Sequence, residues 1–167
     1  MDVHIAPHGH APDDDRQITA LLLRAFVDEG HTARDHAARL TDADVLRRRG
    51  VIIVARGPRP DGPIVGMVIL AADDGPARQA ARPGEAEVQL LAVAPAARGH
   101  GIGARLVAHC EAAARARGCS GMVLSTQPAM AAAHRVYQGL GFRRDAGRDW
   151  ARGDGRNFLV YVKDLGA

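Results

Sequence analysis

The stretch from Leu90 to Leu106 constrains this chain more than any other. Leu90-Leu91-Ala92-Val93 reads as the end of a strand, Pro95 turns the chain, and Gly99, Gly101 and Gly103 make a glycine-rich corner. From there Ile102, Leu106, Cys110 and Ala113 recur on one face of a helix running from Gly101 to Arg117, with Gly118 ending it. Met122-Val123-Leu124 follows as a buried strand. Strand, helix and strand in that order make a crossover, which places a parallel pair in the sheet. The helix start offers no Ser, Thr, Asp or Asn as a cap, so its first N–H groups lack a side-chain partner. Glycines let an anion approach those amides, the helix dipole favours negative charge there, and Arg98 adds a cation. A diphosphate is the ligand that suits this chemistry.

The remaining elements follow from periodicity. Val3 to Ile5 reads as a short strand, and Asp13-Asp14-Asp15 offers caps to a helix carrying Ile18, Leu21, Leu22, Ala25 and Phe26 on one face. A shorter helix runs from a cap at Thr41 through Val45 and Leu46 to Gly50. Val51–Ala55 and Ile64–Ala72 form a hairpin around the Pro/Gly turn 57–63, Asp73–Gly84 is a loop, and Glu87–Val93 is a strong strand. A helix from Ala129 to Leu140 precedes a final pair, Phe142 onward and Phe158–Lys163. In Glu87–Val93 the period of two puts Glu87, Gln89 and Leu91 on one face and Val88, Leu90 and Ala92 on the other. The 167 residues fit a single α/β domain with a mixed sheet.

Charge and cysteine usage narrow the class. The net charge of +3 comes almost wholly from arginines interspersed with Asp and Glu, Lys163 being the one lysine, so no basic face for nucleic acid is expected. Arg47-Arg48-Arg49 reads as a solvated helix end. Cys110 and Cys119 form no CxxC pair, the N-terminus has no signal pattern, and the apolar run Ile64–Ala72 is too short to span a bilayer. These features read as a soluble, cytoplasmic protein. His4, His8, His10, His31 and His36 follow no zinc spacing, so no metal is expected.

Gly99-His100-Gly101-Ile102-Gly103-Ala104 also fits the dinucleotide pattern G-x-G-x-x-G/A. That pattern needs an acidic residue at the end of the next strand, and Leu124-Ser125-Thr126-Gln127 has none. A corner used only for turning and helix–sheet packing stays open on these residues alone.

Three motifs, in order and in register, carry a resemblance. Arg98-Gly99-His100-Gly101-Ile102-Gly103 matches [QR]-x-x-G-x-[GA]; Ala86–Val93 is similar to the strand before it; Ala133–Phe142 matches A-x-x-x-Y-x-x-x-G-F. Together they resemble the GCN5-related N-acetyltransferases (GNAT) over about Ile64 to Val162. The resemblance implies a mixed, mostly antiparallel sheet of six or seven strands with about four helices, the cofactor-binding core spanning about 64–142. It implies acetyl-CoA as cosubstrate, its diphosphate on the amides of Gly99, His100, Gly101, Ile102, Gly103 and Ala104, with Arg98 as a cofactor-binding cation beside them. It also implies a bulged strand at Leu91, Ala92 and Val93 that pairs with the pantetheine arm, and a Leu91 N–H for the thioester oxygen. Glu87 is then the expected general base and Tyr137 the acid or hydrogen-bond donor to the leaving thiolate, in a direct transfer to a primary amine of a small molecule or peptide. Where many members carry Asn, this chain has Met130. The N-terminal part matches nothing specific, so the acceptor is not read. A non-catalytic acyl-CoA-binding module is the alternative, and a free sheet edge would allow a homodimer.

Overall fold

Runs of β-branched residues set the centre of the structure, a computed structural model that describes residues 1–72 and 75–166. Asp73 and Asp74 of the expected Asp73–Gly84 loop lie outside the described residues. The strands are β1 (His4–Pro7), β2 (Val51–Arg56), β3 (Ile64–Ala71), β4 (Glu85–Val93), β5 (Gly121–Thr126), β6 (Arg143–Arg144), β7 (Trp150–Ala151) and β8 (Asn157–Asp164). They form one sheet in the order β1-β2-β3-β4-β5-β8-β6, with β7 pairing β8. Every pair is antiparallel except β4–β5, the crossover pair. The two-residue strands β6 and β7 bring the count to eight; they are too short to leave a hydropathy signal.

Both faces of the central strands are covered, which is why β2 and β3 read as continuous apolar runs. Ile53, Ala55, Val68 and Leu70 pack into one core, while Ile52, Val54, Met67 and Ile69 pack into another. The first core lies under α4 (Ile102–Ala116), through Ile102, Leu106, Val107, Cys110 and Ala114. Helix α4 sits close because of Gly66: a Cβ there would stand 3.1 Å from Leu106 Cδ1 and 3.2 Å from Ile102 Cγ2. Tyr137 of α5 (Ala131–Gly139) completes that side. The second core is covered by α1 (Pro12–Leu22) and its π-helical extension Leu23–Asp28, by α2 (Ala38–Thr41), and by α3 (Ala43–Arg49).

Three local expectations are corrected. Helix α1 begins with Pro12 after Ala11 and has no side-chain cap; Asp14 and Asp15 instead meet Arg56, Arg47 and His8. The cap of α3 is Asp42, not Thr41: its carboxylate accepts the N–H groups of Asp44 and Val45 at 2.9 and 3.1 Å. The run Arg47-Arg48-Arg49 is not a simple solvated end. Arg47 donates to Asp15 at 2.5 Å and Asp44 at 2.9 Å, while Arg49 turns inward to Gln89 Oε1 at 3.2 Å.

The alternation expected in β4 also breaks. Between the pairs Ile69↔Gln89 and Met67↔Ala92, the single residue Val68 of β3 opposes both Leu90 and Leu91. This is a bulge, and Leu90 takes the left-handed conformation it needs, with φ 50°. The phase inverts there. Val88 faces the α4 core, and so do Leu91 and Val93; Leu90 and Ala92 face the other core. Leu91 therefore does not share a face with Glu87 and Gln89.

Candidate active site

The bulge opens the sheet. Strand β4 pairs with β5 from Glu85↔Gly121 to Val88↔Leu124 and no further, although β5 continues along β8 to Thr126↔Leu159. From Gln89 to Val93 one edge of β4 is therefore free of its neighbour, and its N–H and C=O groups are available to an extended ligand, in the manner of an added strand.

That free edge leads into the glycine corner. A 3-10 turn, Pro95–Ala97, is followed by Gly99 and Gly101 at φ 79° and 71°, a conformation that glycine adopts without the steric penalty a Cβ brings. Gly101 is the N-cap of α4 and supplies no side chain. Among the described residues, the backbone N–H groups from Gly99 to Ala104 meet no acceptor; the first to do so is that of Arg105, bonded to Gly101 O at 3.0 Å. The donor row and the dipole of a 15-residue helix fit a diphosphate. Arg98 stands at its edge, where it donates to Val93 O at 3.2 Å and to Glu29 at 2.5 Å.

At the opposite end of the opening lies a cavity of about 100 Å³, bordered by Val88, Leu90 and Leu91 of β4, Ser125 and Thr126 of β5, and Tyr137. Tyr137 is buried, with its ring against Phe142 and Tyr161, each at 6.2 Å. Burial pushes its phenol up from the ordinary 10.0, so the O–H stays protonated.

Glu87 also reaches the cavity, but its carboxylate is occupied. Gln79 N–H reaches both oxygens at 3.1 and 2.9 Å, Ala80 and Ala81 N–H each donate to Oε2 at 2.9 Å, and Gln89 Nε2 donates to Oε1 at 2.9 Å. Four donors make five contacts, two on Oε1 and three on Oε2, so both oxygens are occupied. Gln89 Nε2 also donates to Ala77 O, and Arg148 holds Ala80 O while pairing with Glu85 at 2.9 and 2.7 Å. Glu87 thus anchors the 77–81 wall of the cavity.

An acetyltransferase (GNAT) family model matches residues 16–142. The chain belongs to the GNAT family.

Solved members and relatives share its fold along nearly the whole length. A GNAT acetyltransferase from Staphylococcus aureus Mu50 is 18% identical, with 98% of this chain and 99% of that chain covered at a TM-score of 0.74. An acetyltransferase from Streptococcus agalactiae 2603 is 20% identical, with 98% and 99% covered and a TM-score of 0.73. The ribosomal-protein-S18-alanine N-acetyltransferase from Escherichia coli is 17% identical, with 99% and 95% covered and a TM-score of 0.66. At these identities the likeness speaks for the fold. Curated proteins give no match.

Within this GNAT fold, Leu91, Ala92, Val93 and the corner Arg98–Ala104 lie along one continuous path, and Tyr137 stands beside it. Met130 takes the N-cap position of α5 without capping it and borders the cavity. His134 Nε2 donates to Gln127 O at 3.1 Å, and His100 Nδ1 donates to Arg98 O at 3.0 Å. Trp150 is packed, stacked on Phe158 at 4.3 Å with its Nε1–H on Ser125 Oγ. His8, His10 and Asp15 approach one another, but the Arg47 guanidinium already donates to His10 and Asp15. No helix among the described residues is long and apolar enough to cross a membrane.

Sequence reasoning missed the arginines. Arg39, Arg49, Arg152 and Arg156 all border the cavity. They are far apart in the chain, and no local pattern links them.

Proposed function

We propose that the protein transfers an acetyl group from acetyl-CoA to a primary amine by direct attack in a ternary complex. The observation that carries this reading is the free β4 edge running into the unpaired N–H row of Gly99–Ala104. That geometry suits a pantetheine arm along Leu91–Val93 and a diphosphate at the corner. Acetyl-CoA supplies the activated acyl group.

The chain's own groups then divide the work. The N–H of Leu91 polarises the thioester carbonyl, as a donor aimed at developing negative charge does. The amine nitrogen forms the new C–N bond as the C–S bond breaks, and the ammonium proton leaves to solvent. Tyr137 donates a hydrogen bond to the departing sulfur; its raised pKa favours donation over full proton transfer. Glu87, with its lone pairs filled, serves this reading as a positioning residue for the 77–81 wall. The expected base role would need those N–H bonds to open.

Isothermal titration of acetyl-CoA, followed by thiol release with a panel of amines, tests the proposal. Saturable binding with amine-dependent release supports it. Binding without turnover on any amine favours a non-catalytic acyl-CoA-binding module, and no binding overturns both.

A further inference from the structure

The arginines of the cavity come from three separate stretches: Arg39 from α2, Arg49 from the end of α3, and Arg152 and Arg156 from the turn between β7 and β8. Several arginines elsewhere are matched by carboxylates, as Arg56 is by Asp14, Arg144 by Asp149 and Arg148 by Glu85. In the cavity Arg156 has Asp154 at 2.8 Å, but Arg39, Arg49 and Arg152 have no carboxylate partner among the described residues. Glu87, the one carboxylate bordering the cavity among those residues, has its lone pairs filled.

The donors are held in place and left unused. Arg49 spends Nη1 on Gln89, while its Nε is buried with no acceptor. The Arg152 guanidinium carbon lies 5.9 and 5.4 Å from the centres of the stacked Trp150 and Phe158 rings, and the guanidinium N–H groups meet no acceptor among the described residues. Thr126 is 3% exposed, and its Oγ1 has no partner either. Burial, then Arg152 and Arg39, hold Arg49 below its ordinary pKa; burial, then Arg156 and Arg39, do the same to Arg152. Like charges gathered this way await an anion.

That anion is not the diphosphate. The corner at Gly99–Ala104 lies beyond the C-terminal end of β4, at the N-terminus of α4 on one face of the sheet, whereas Arg49 bonds Gln89, before the bulge and on the opposite face. We propose that the acceptor is a small amine that also carries a carboxylate or a phosphate, and that Arg49 and Arg152 bind this group; the inference rests on the acetyltransferase reading above. Cationic acceptors are repelled. The same positive field disfavours the ammonium form of a bound amine, so it eases the deprotonation for which Glu87 is not free.

Transfer rates with matched acceptors test this. The α-amino acids are compared with their amides, and O-phosphoethanolamine with ethanolamine, with spermidine as the cationic acceptor. The expected result is a KM about tenfold or more lower for the anionic member of one series, the size of a charge-assisted hydrogen bond, with the series identifying the anion. Arg49→Met and Arg152→Met should each erase that preference and leave the KM for acetyl-CoA unchanged. Equal or better use of neutral or cationic amines overturns the proposal, as does a change confined to the acetyl-CoA KM. If acetyl-CoA binds but no amine is acetylated, the acetyltransferase reading fails and the anion site is judged separately. Succinate and inorganic phosphate are then titrated into wild type and Arg49→Met. Saturable binding that the variant loses upholds the site; no binding to wild type overturns it.

Discussion

Replacing Tyr137 by Phe removes one oxygen from the opening and leaves the rest of the site in place. The ring packs against Phe142 and Tyr161 in both forms, and no side chain or backbone group among the described residues bonds the phenol oxygen, so the fold loses little. Under the proposed mechanism, what is lost is the hydrogen bond to the leaving sulfur. A hydrogen bond to a charged group contributes about 1.5–3 kcal/mol, and each 1.36 kcal/mol is about a factor of ten in rate, so kcat should fall roughly 10- to 150-fold. The KM for acetyl-CoA should move little, because the bond strengthens as charge develops on sulfur. The raised phenol pKa adds a second expectation: wild-type kcat should show no limb from tyrosine ionisation up to the ordinary value of 10.0. Thiol release measured at saturating acetyl-CoA across pH, with melting curves for both proteins, decides it. An unchanged kcat in Tyr137→Phe, or a loss that follows a lowered melting temperature, refutes the assignment.

Other perturbations separate donor site, wall and scaffold. Gly101→Ala forces an alanine to φ 71°, a strain of roughly 1–2 kcal/mol, and sets a methyl beside the amide row; the acetyl-CoA dissociation constant should rise at least about tenfold, by titration calorimetry. Glu87→Gln puts an amide donor among N–H donors and should destabilise the fold by about 1–3 kcal/mol in urea unfolding while the shape of the kcat–pH profile is kept; a lost titration limb would instead restore Glu87 as base. Arg148→Met should destabilise by about 2 kcal/mol at neutral pH, since it leaves the half-buried Glu85 unpaired. Burial raises the Glu85 pKa, but the Arg148 hydrogen bonds and the Arg82 N–H hold it below the ordinary 4.5. Its stabilising contribution is therefore complete above that value and fades as pH falls through the lower folded value. Wild type and variant should converge in acid.

Elements with a clean period were legible in the sequence. The spacing of Ile102, Leu106 and Cys110 gave α4, the apolar runs gave β2 and β3, and the missing cap gave the open N–H row of the corner. Legibility failed where a single residue broke a rule without announcing it. Leu90 adopts φ 50° although it is not glycine, so a period of two assigned the wrong face to Leu90 and to everything after it in β4. Asp13-Asp14-Asp15 resembled a cap because the arginines that two of them meet, Arg47 and Arg56, are more than 30 residues away. The charge of the cavity was hidden for the same reason. That positive charge exists only after residues 39, 49, 152 and 156 are brought together, and Arg49 looked like one more member of a surface triplet.

The bulge in β4 behaves like a dislocation in a crystal row. One strand carries an extra unit, and the mismatch can be removed only by adding or deleting a residue, never by exchanging one side chain for another. The opening between β4 and β5 is therefore stored in a count of backbone units. Side chains along β4 are left free to drift, and those before Leu90 can be retuned independently of those after it.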